Sequence, residues 1–187
     1  MTASLSPVVQ QAMQASAAGN TETAMQLLRS AINEHPGDAL PHFLMGAEHA
    51  QARQIAEAEA AYAQAVLLAP GFDMARFQLG LLQFTSGRSA VALLTWQPLF
   101  ALPTTNALQR FVSAFGALAQ DRLAKAVDFC REGMALNHEN PPLNADMQLL
   151  IDRIAQLQGT ERASEVDAVG DNAHVLLANY RQSDSLH

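Results

Sequence analysis

The chain repeats itself every 34 residues. Ala24, Ala58, Ala92 and Ala126 form one series at that interval; Leu28, Tyr62, Trp96 and Cys130 form a second, four residues further on. Ala31 and Ala65 continue as Leu99 and Gly133, Pro36 pairs with Pro70, and Met45-Gly46 pairs with Leu79-Gly80. A small residue followed one turn later by a large one lets two helices approach closely and fills the gap beside them. Each helix pair leaves one apolar face for the next pair to cover, so such units stack into a curved solenoid.

Inside a unit the turn signals fall at Gly19-Asn20, Arg53-Gln54, Ser86-Gly87-Arg88 and Gln120-Asp121. They predict helices over 40–52, 55–68 and 73–85, with Asp38, Asp73 and Ser89 as N-caps. Pro98 removes one hydrogen bond and clashes with the carbonyl of Leu94, so the second helix of the third unit is expected to kink or stop near Trp96 and to alter the curvature there. Asn140-Pro141-Pro142 opens a capping helix whose apolar stripe is Leu143, Met147, Leu150, Ile151, Ile154 and Leu157. The expected architecture is all-α, a right-handed α-solenoid of helix-turn-helix repeats. The repeat domain spans 1–158, with units near 5–38, 39–72, 73–106 and 107–140 and a cap over 141–158. The composition turns polar and acidic after Gly159, predicting a flexible tail over 159–187 that carries a short apolar segment at 174–180.

With 49% of 187 residues apolar, one core is affordable without cross-links, and the single cysteine forbids an intramolecular disulfide. A cytoplasmic protein is expected, since the opening MTASLSPVVQ has neither a positive segment nor an apolar run of signal-peptide length. No apolar stretch approaches the ~18 residues of a membrane span. The net charge is −7, and the arginines are scattered along the chain, with Lys125 as sole lysine. That distribution argues against nucleic acid as a partner.

No phosphate-binding glycine loop, nucleophile elbow or metalloprotease motif occurs, so no catalytic residue, metal or cofactor is expected. His42 and His49 lie two helical turns apart with no third ligand in view, and read as packing residues. Cys130 occupies a bulky packing slot and reads as an inert thiol. Glu22, Glu48, Glu57, Glu59, Asp128 and Glu132 are expected on exposed helical faces.

The unit from Ala39-Leu40-Pro41-His42-Phe43-Leu44-Met45-Gly46 through Ala58, Tyr62, Ala65 and Pro70 resembles the tetratricopeptide repeat family. The resemblance covers about residues 5–140, is closest in the second unit, good in the third and weaker in the first and fourth. It departs where the family often has an aromatic, since Val8, His42, Arg76 and Arg110 stand there. The resemblance implies that the first helix of each pair lines a concave groove through its fifth, ninth and twelfth positions. These are Val9, Phe43, Phe77 and Phe111; Met13, Ala47, Leu81 and Phe115; and Ser16, Ala50, Phe84 and Leu118. The Lys, Asn and Arg with which one class of the family clamps acidic C-termini are missing from these places.

An uncharged groove of this kind suits a protein or peptide partner with apolar anchors held by Phe43, Ala47, Phe77, Leu81, Phe84, Phe111, Phe115 and Leu118. The phenylalanines at the fifth position either face the hollow or pack among neighbouring helices. Val175, Leu176, Leu177 and Tyr180 in the tail form a possible self-ligand. The expected function is a non-enzymatic adaptor or chaperone-like interaction module. The alternative is a structural subunit that self-associates, as a homo-oligomer, through the groove or tail.

Overall fold

A computed structural model describes residues 5–158. Among them the chain forms ten helices and no strand: α1 Pro7–Ala17, α2 Thr21–Glu34, α3 Ala39–Gln51, α4 Ile55–Leu68, α5 Asp73–Thr85, α6 Ser89–Thr95, α7 Gln97–Phe100, α8 Ala107–Leu118, α9 Leu123–Leu136 and α10 over 141–158. Successive helices pack on one another, giving a right-handed α-solenoid of helical hairpins. The alanine series lies at the crossings: Ala24, Ala58, Ala92 and Ala126 are all fully buried.

The hairpin turns repeat with the sequence period. Gly19, Arg53, Gly87 and Asp121 all adopt positive φ, at 75°, 59°, 79° and 55°. In each, the following N–H reaches back to close the helix, from Asn20 to Ala15 O at 2.8 Å and from Gln54, Arg88 and Arg122 to His49, Gln83 and Ala117 O at 2.9 Å. This is the Schellman closure, in which glycine avoids a penalty that other side chains bear. Arg53→Gly is therefore expected to raise the unfolding free energy by about 0.5–1 kcal/mol, and a urea titration read by circular dichroism checks it.

Asp38 caps α3, accepting from the Leu40 N–H at 3.0 Å. Asp73 and Ser89 do not cap, contrary to the sequence reading. Phe72 and Arg88 hold the cap positions without a side-chain bond, and Asp73 and Ser89 are already the first helical residues. At α5 the preceding turn tightens through Phe72 N–H to Ala69 O at 2.9 Å, and the helix starts one residue earlier than a cap at Asp73 would place it. At α6 the positive φ of Gly87 makes Arg88 close the previous helix and open the next. Asn106 is a further cap, accepting from the N–H groups of Leu108 and Gln109 at 2.9 and 3.4 Å.

Pro98 acts as its chemistry dictates. The outer helix of the third pair stops at Thr95, and the short α7 begins at Gln97, with the proline in its first turn. The arginines at the family's aromatic place have found another use. Arg76 donates to the carbonyl of Pro70 at 2.9 Å and Arg110 to that of Thr104 at 2.9 Å, in each case six residues back in the inter-unit turn. A guanidinium thus fastens the turn that an aromatic ring would otherwise cover.

Glu59 and Glu48 depart from the expected exposed faces. Glu59 of α4 receives both guanidinium nitrogens of Arg88, at 2.6 and 3.0 Å, and the Gln83 amide at 3.2 Å, tying the second unit to the third. The Arg88 hydrogen bonds hold the Glu59 carboxyl below its ordinary value, with burial opposing and Gln83 helping. A folded-state pKa below the unfolded one stabilises the fold above about pH 4.5 and loses that contribution as pH falls through the folded value. The stability gap between wild type and Glu59→Gln is thus expected to be fully open at pH 7 and to close on acidification below about 4.5, as read from urea midpoints across that range.

Candidate functional site

The inner helices meet in a cleft of about 360 Å³. Ala50 of α3 and Tyr62 of α4 form one side, Gln78, Leu81, Leu82 and Thr85 of α5 the floor, and Phe115 of α8 with Asp146, Met147 and Leu150 of α10 the far side. Asp146 is the one charged group in that lining. Tyr62 lies flat against Gly46, where an added Cβ would sit 2.6 Å from the ring, and burial pushes its phenol up to about 12, so it presents a neutral wall. The capping helix therefore does more than cover the last unit: it closes the cleft.

The sequence-predicted groove residues divide. Leu81 lines the cleft, and Phe115 borders it while being only 3% exposed. Phe77 and Phe111 are fully buried, so of the two placements open to them they pack among neighbouring helices, which corrects their assignment as groove anchors. Phe111 turns outward into the space left by Gly133 of α9, where a Cβ would come within 2.5 Å of the ring. Phe77 packs on Trp96, Phe111 and Phe115 at ring separations of 6.0, 6.2 and 6.4 Å. Five aromatic rings, with Phe84 the half-buried fifth, thereby join the third and fourth units into one core. Phe43 is half-buried against Tyr62 and Phe72, at 5.7 and 4.9 Å. Leu118 is half-buried beside Leu123 and Leu150, and Ala47 lines a smaller niche with Met13 and Ser16. Val175, Leu176, Leu177 and Tyr180 lie outside the described residues.

The groups with chemical potential elsewhere are occupied by packing. Cys130 is fully buried, and burial pushes its thiol up to about 11, far from a reactive thiolate. Burial lowers the pKa of His42, with Asp38 opposing, and His49 Nδ1 lies 2.6 Å from the side-chain Oε1 of Gln54. Among the described residues no group of three His, Cys, Asp or Glu side chains could hold a metal ion, and no helix is long and apolar enough to cross a membrane.

No protein-family profile and no curated protein matches the sequence. Solved structures do match in shape. Residues 41 to the end of MamA from Desulfovibrio magneticus RS-1 superpose with a TM-score of 0.57 at 15% identity, covering 82% of this chain and 94% of that one. PilW, a type IV pilus biogenesis factor, gives 0.61 at 17% identity over 78% and 69% of the two chains. The Cut9–Hcn1 hetero-tetramer of the APC/C gives 0.60 at 18% identity, covering 80% of this chain and 29% of that one. These neighbours are all built from tetratricopeptide repeats. The chain has the tetratricopeptide repeat fold. In that frame α1, α3, α5 and α8 are the inner helices of four repeats, and α10 stands where the inner helix of a fifth would begin. The resemblance was legible in the alanine and aromatic series. The contribution of α10 to the cleft was not, because a stripe in sequence does not say which neighbour it faces.

Proposed function

We propose that this tetratricopeptide repeat protein is a non-enzymatic interaction module that holds an apolar peptide or helix of a protein partner in the cleft between α3–α5 and α10. The observation that carries this reading is the cleft's lining. Leu81, Leu82, Met147 and Leu150 converge on a space large enough for apolar anchors, with polar groups at Tyr62, Gln78, Thr85 and Asp146. The single, buried cysteine accords with a cytoplasmic setting.

A photo-crosslinker placed at Thr85, exposed at the cleft wall, is expected to capture the partner, whereas one at Leu94 on α6 is not. Leu81→Glu puts a carboxylate among apolar side chains and is expected to weaken the partner's affinity by about tenfold or more. Capture from Leu94 alone, or affinity unchanged by Leu81→Glu, would move the site away from the cleft. Light scattering on the eluting protein tests the self-associating alternative, which requires a stable homodimer that Leu81→Glu dissociates. Truncation after Gly159 tests the tail as the cleft's occupant: if the tail competes, partner affinity rises on its removal.

A further inference from the structure

One helical turn from the cleft along α3, the inner surface holds a second, chemically different space. It is a niche of about 200 Å³ between α1 and α3, walled by Ala12, Met13, Leu44 and Ala47, with Ser16, Glu48 and Gln51 as polar members. Glu48 is only 5% exposed, and one of its oxygens accepts a hydrogen bond from the Ser16 hydroxyl. A carboxylate offers about four acceptor sites, and a buried one is stable only when its charge is answered. The ion pairs among the described residues join Arg88 to Glu59 and Arg110 to Glu132, and neither involves Glu48.

Arg29 of α2 and Arg53 just after α3 are exposed, and neither is ion-paired to Glu48. Helix α1 carries no ionisable side chain, and the other ionisable groups of α3 are His42 and His49. His49 is bonded to Gln54. Arg76 of α5 is spent on the carbonyls of Pro70 and Thr95, and Arg110 of α8 on Thr104 and Glu132. The inner wall thus holds a largely buried carboxylate that accepts from one hydroxyl and joins neither ion pair, beside an apolar niche.

We propose that this niche is a subsite for one basic side chain of the partner, lysine or arginine. The aliphatic stem lies against Met13, Leu44 and Ala47, and the cationic head meets Glu48. Long basic side chains are suited to this, being apolar along the stem and charged only at the tip. Ala47 of the niche and Ala50 of the cleft are one turn apart on α3, so a single peptide spans both, with a basic residue beside an apolar anchor. That the cation belongs to a peptide rests on the cleft reading above; the niche itself is tested without one.

The test titrates the full-length 15N-labelled protein with n-butylguanidinium and n-butylammonium, and with n-butylurea as the neutral isostere. Both cations are expected to shift the backbone amides of Ser16, Ala47 and Glu48 saturably, with the urea weaker by about fivefold or more. The tighter of the two cations tells arginine from lysine. Glu48→Gln keeps an acceptor for Ser16 and is expected to abolish the preference for charge while leaving the melting transition in place. Met13→Lys supplies an internal cation at the mouth of the niche and is expected to block n-butylguanidinium, a result that does not depend on altering Glu48. Equal affinity for cation and urea, a preference that survives Glu48→Gln, or no shift at these amides would overturn the subsite. A Leu81→Glu variant that retains partner binding would instead overturn the cleft reading while leaving the niche result untouched.

Discussion

Trp96→Ala is expected to lower the unfolding free energy by about 3–5 kcal/mol, the range for truncating a fully buried large aromatic. Trp96 is 0% exposed and lies 6.0 Å from Phe77, 5.9 Å from Phe84 and 5.1 Å from Phe115 between ring centroids. Its indole Nε1 donates to the carbonyl of Phe77 at 3.0 Å, a buried bond that adds about 1 kcal/mol. In a repeat array stability is carried by nearest-neighbour interfaces, and this residue sits where the third unit meets the fourth. The variant is therefore expected to unfold in two steps, with the fourth unit and α10 melting first. Urea titration followed by far-ultraviolet circular dichroism reads both effects, since the chain's single tryptophan is the residue removed. A loss below about 1 kcal/mol, or a single undivided transition, would show that the aromatic cluster does not couple the units.

Gly80→Ala is the second large effect, and its sign opposes helix propensity. Alanine in a helix interior is favoured over glycine by about 1 kcal/mol. At Gly80, however, the added Cβ would stand 2.2 Å from Nε1 and 2.4 Å from Cε2 of Trp96. The indole is hydrogen-bonded and enclosed by other rings, so it has no free space to retreat into. The overlap must shift α5 against α6, and a net loss of about 2 kcal/mol or more is expected. Gly116→Ala is the control, because a Cβ there meets the Phe100 ring at an ordinary 3.5 Å. That substitution is expected to stabilise by about 0.5–1 kcal/mol through helix propensity alone. Thermal denaturation of the pair decides the matter: equal shifts of the same sign would mean that the glycine at position 80 is not there for the close approach.

The two glycine outcomes show where sequence reading stops. Met45-Gly46 and Leu79-Gly80 announce themselves through the period, and their counterparts Tyr62 and Trp96 through the same period, so a small residue facing a large one was legible. The fifth-position aromatics were not. Phe43, Phe77 and Phe111 hold equivalent places, yet Phe43 is half-buried while the other two are wholly enclosed. What differs is their surroundings: Tyr62 and Phe72 in one case, Trp96, Phe115 and the bare backbone of Gly133 in the others. Glu48 was read as one more solvated carboxylate because nothing local marks it. Its hydrogen-bond partner is Ser16, 32 residues away on a different helix.

Period, turn placement, the break at Pro98 and the all-α architecture were written in the chain, because they follow from interactions within one unit or between identical neighbours. The direction of each phenylalanine, the closing of the cleft by α10 and the burial of the Glu48 carboxylate in the α1–α3 niche were set only when the units packed. Side-chain direction and burial depend on which non-identical residues the stacking brings together, and a helical stripe leaves that choice open.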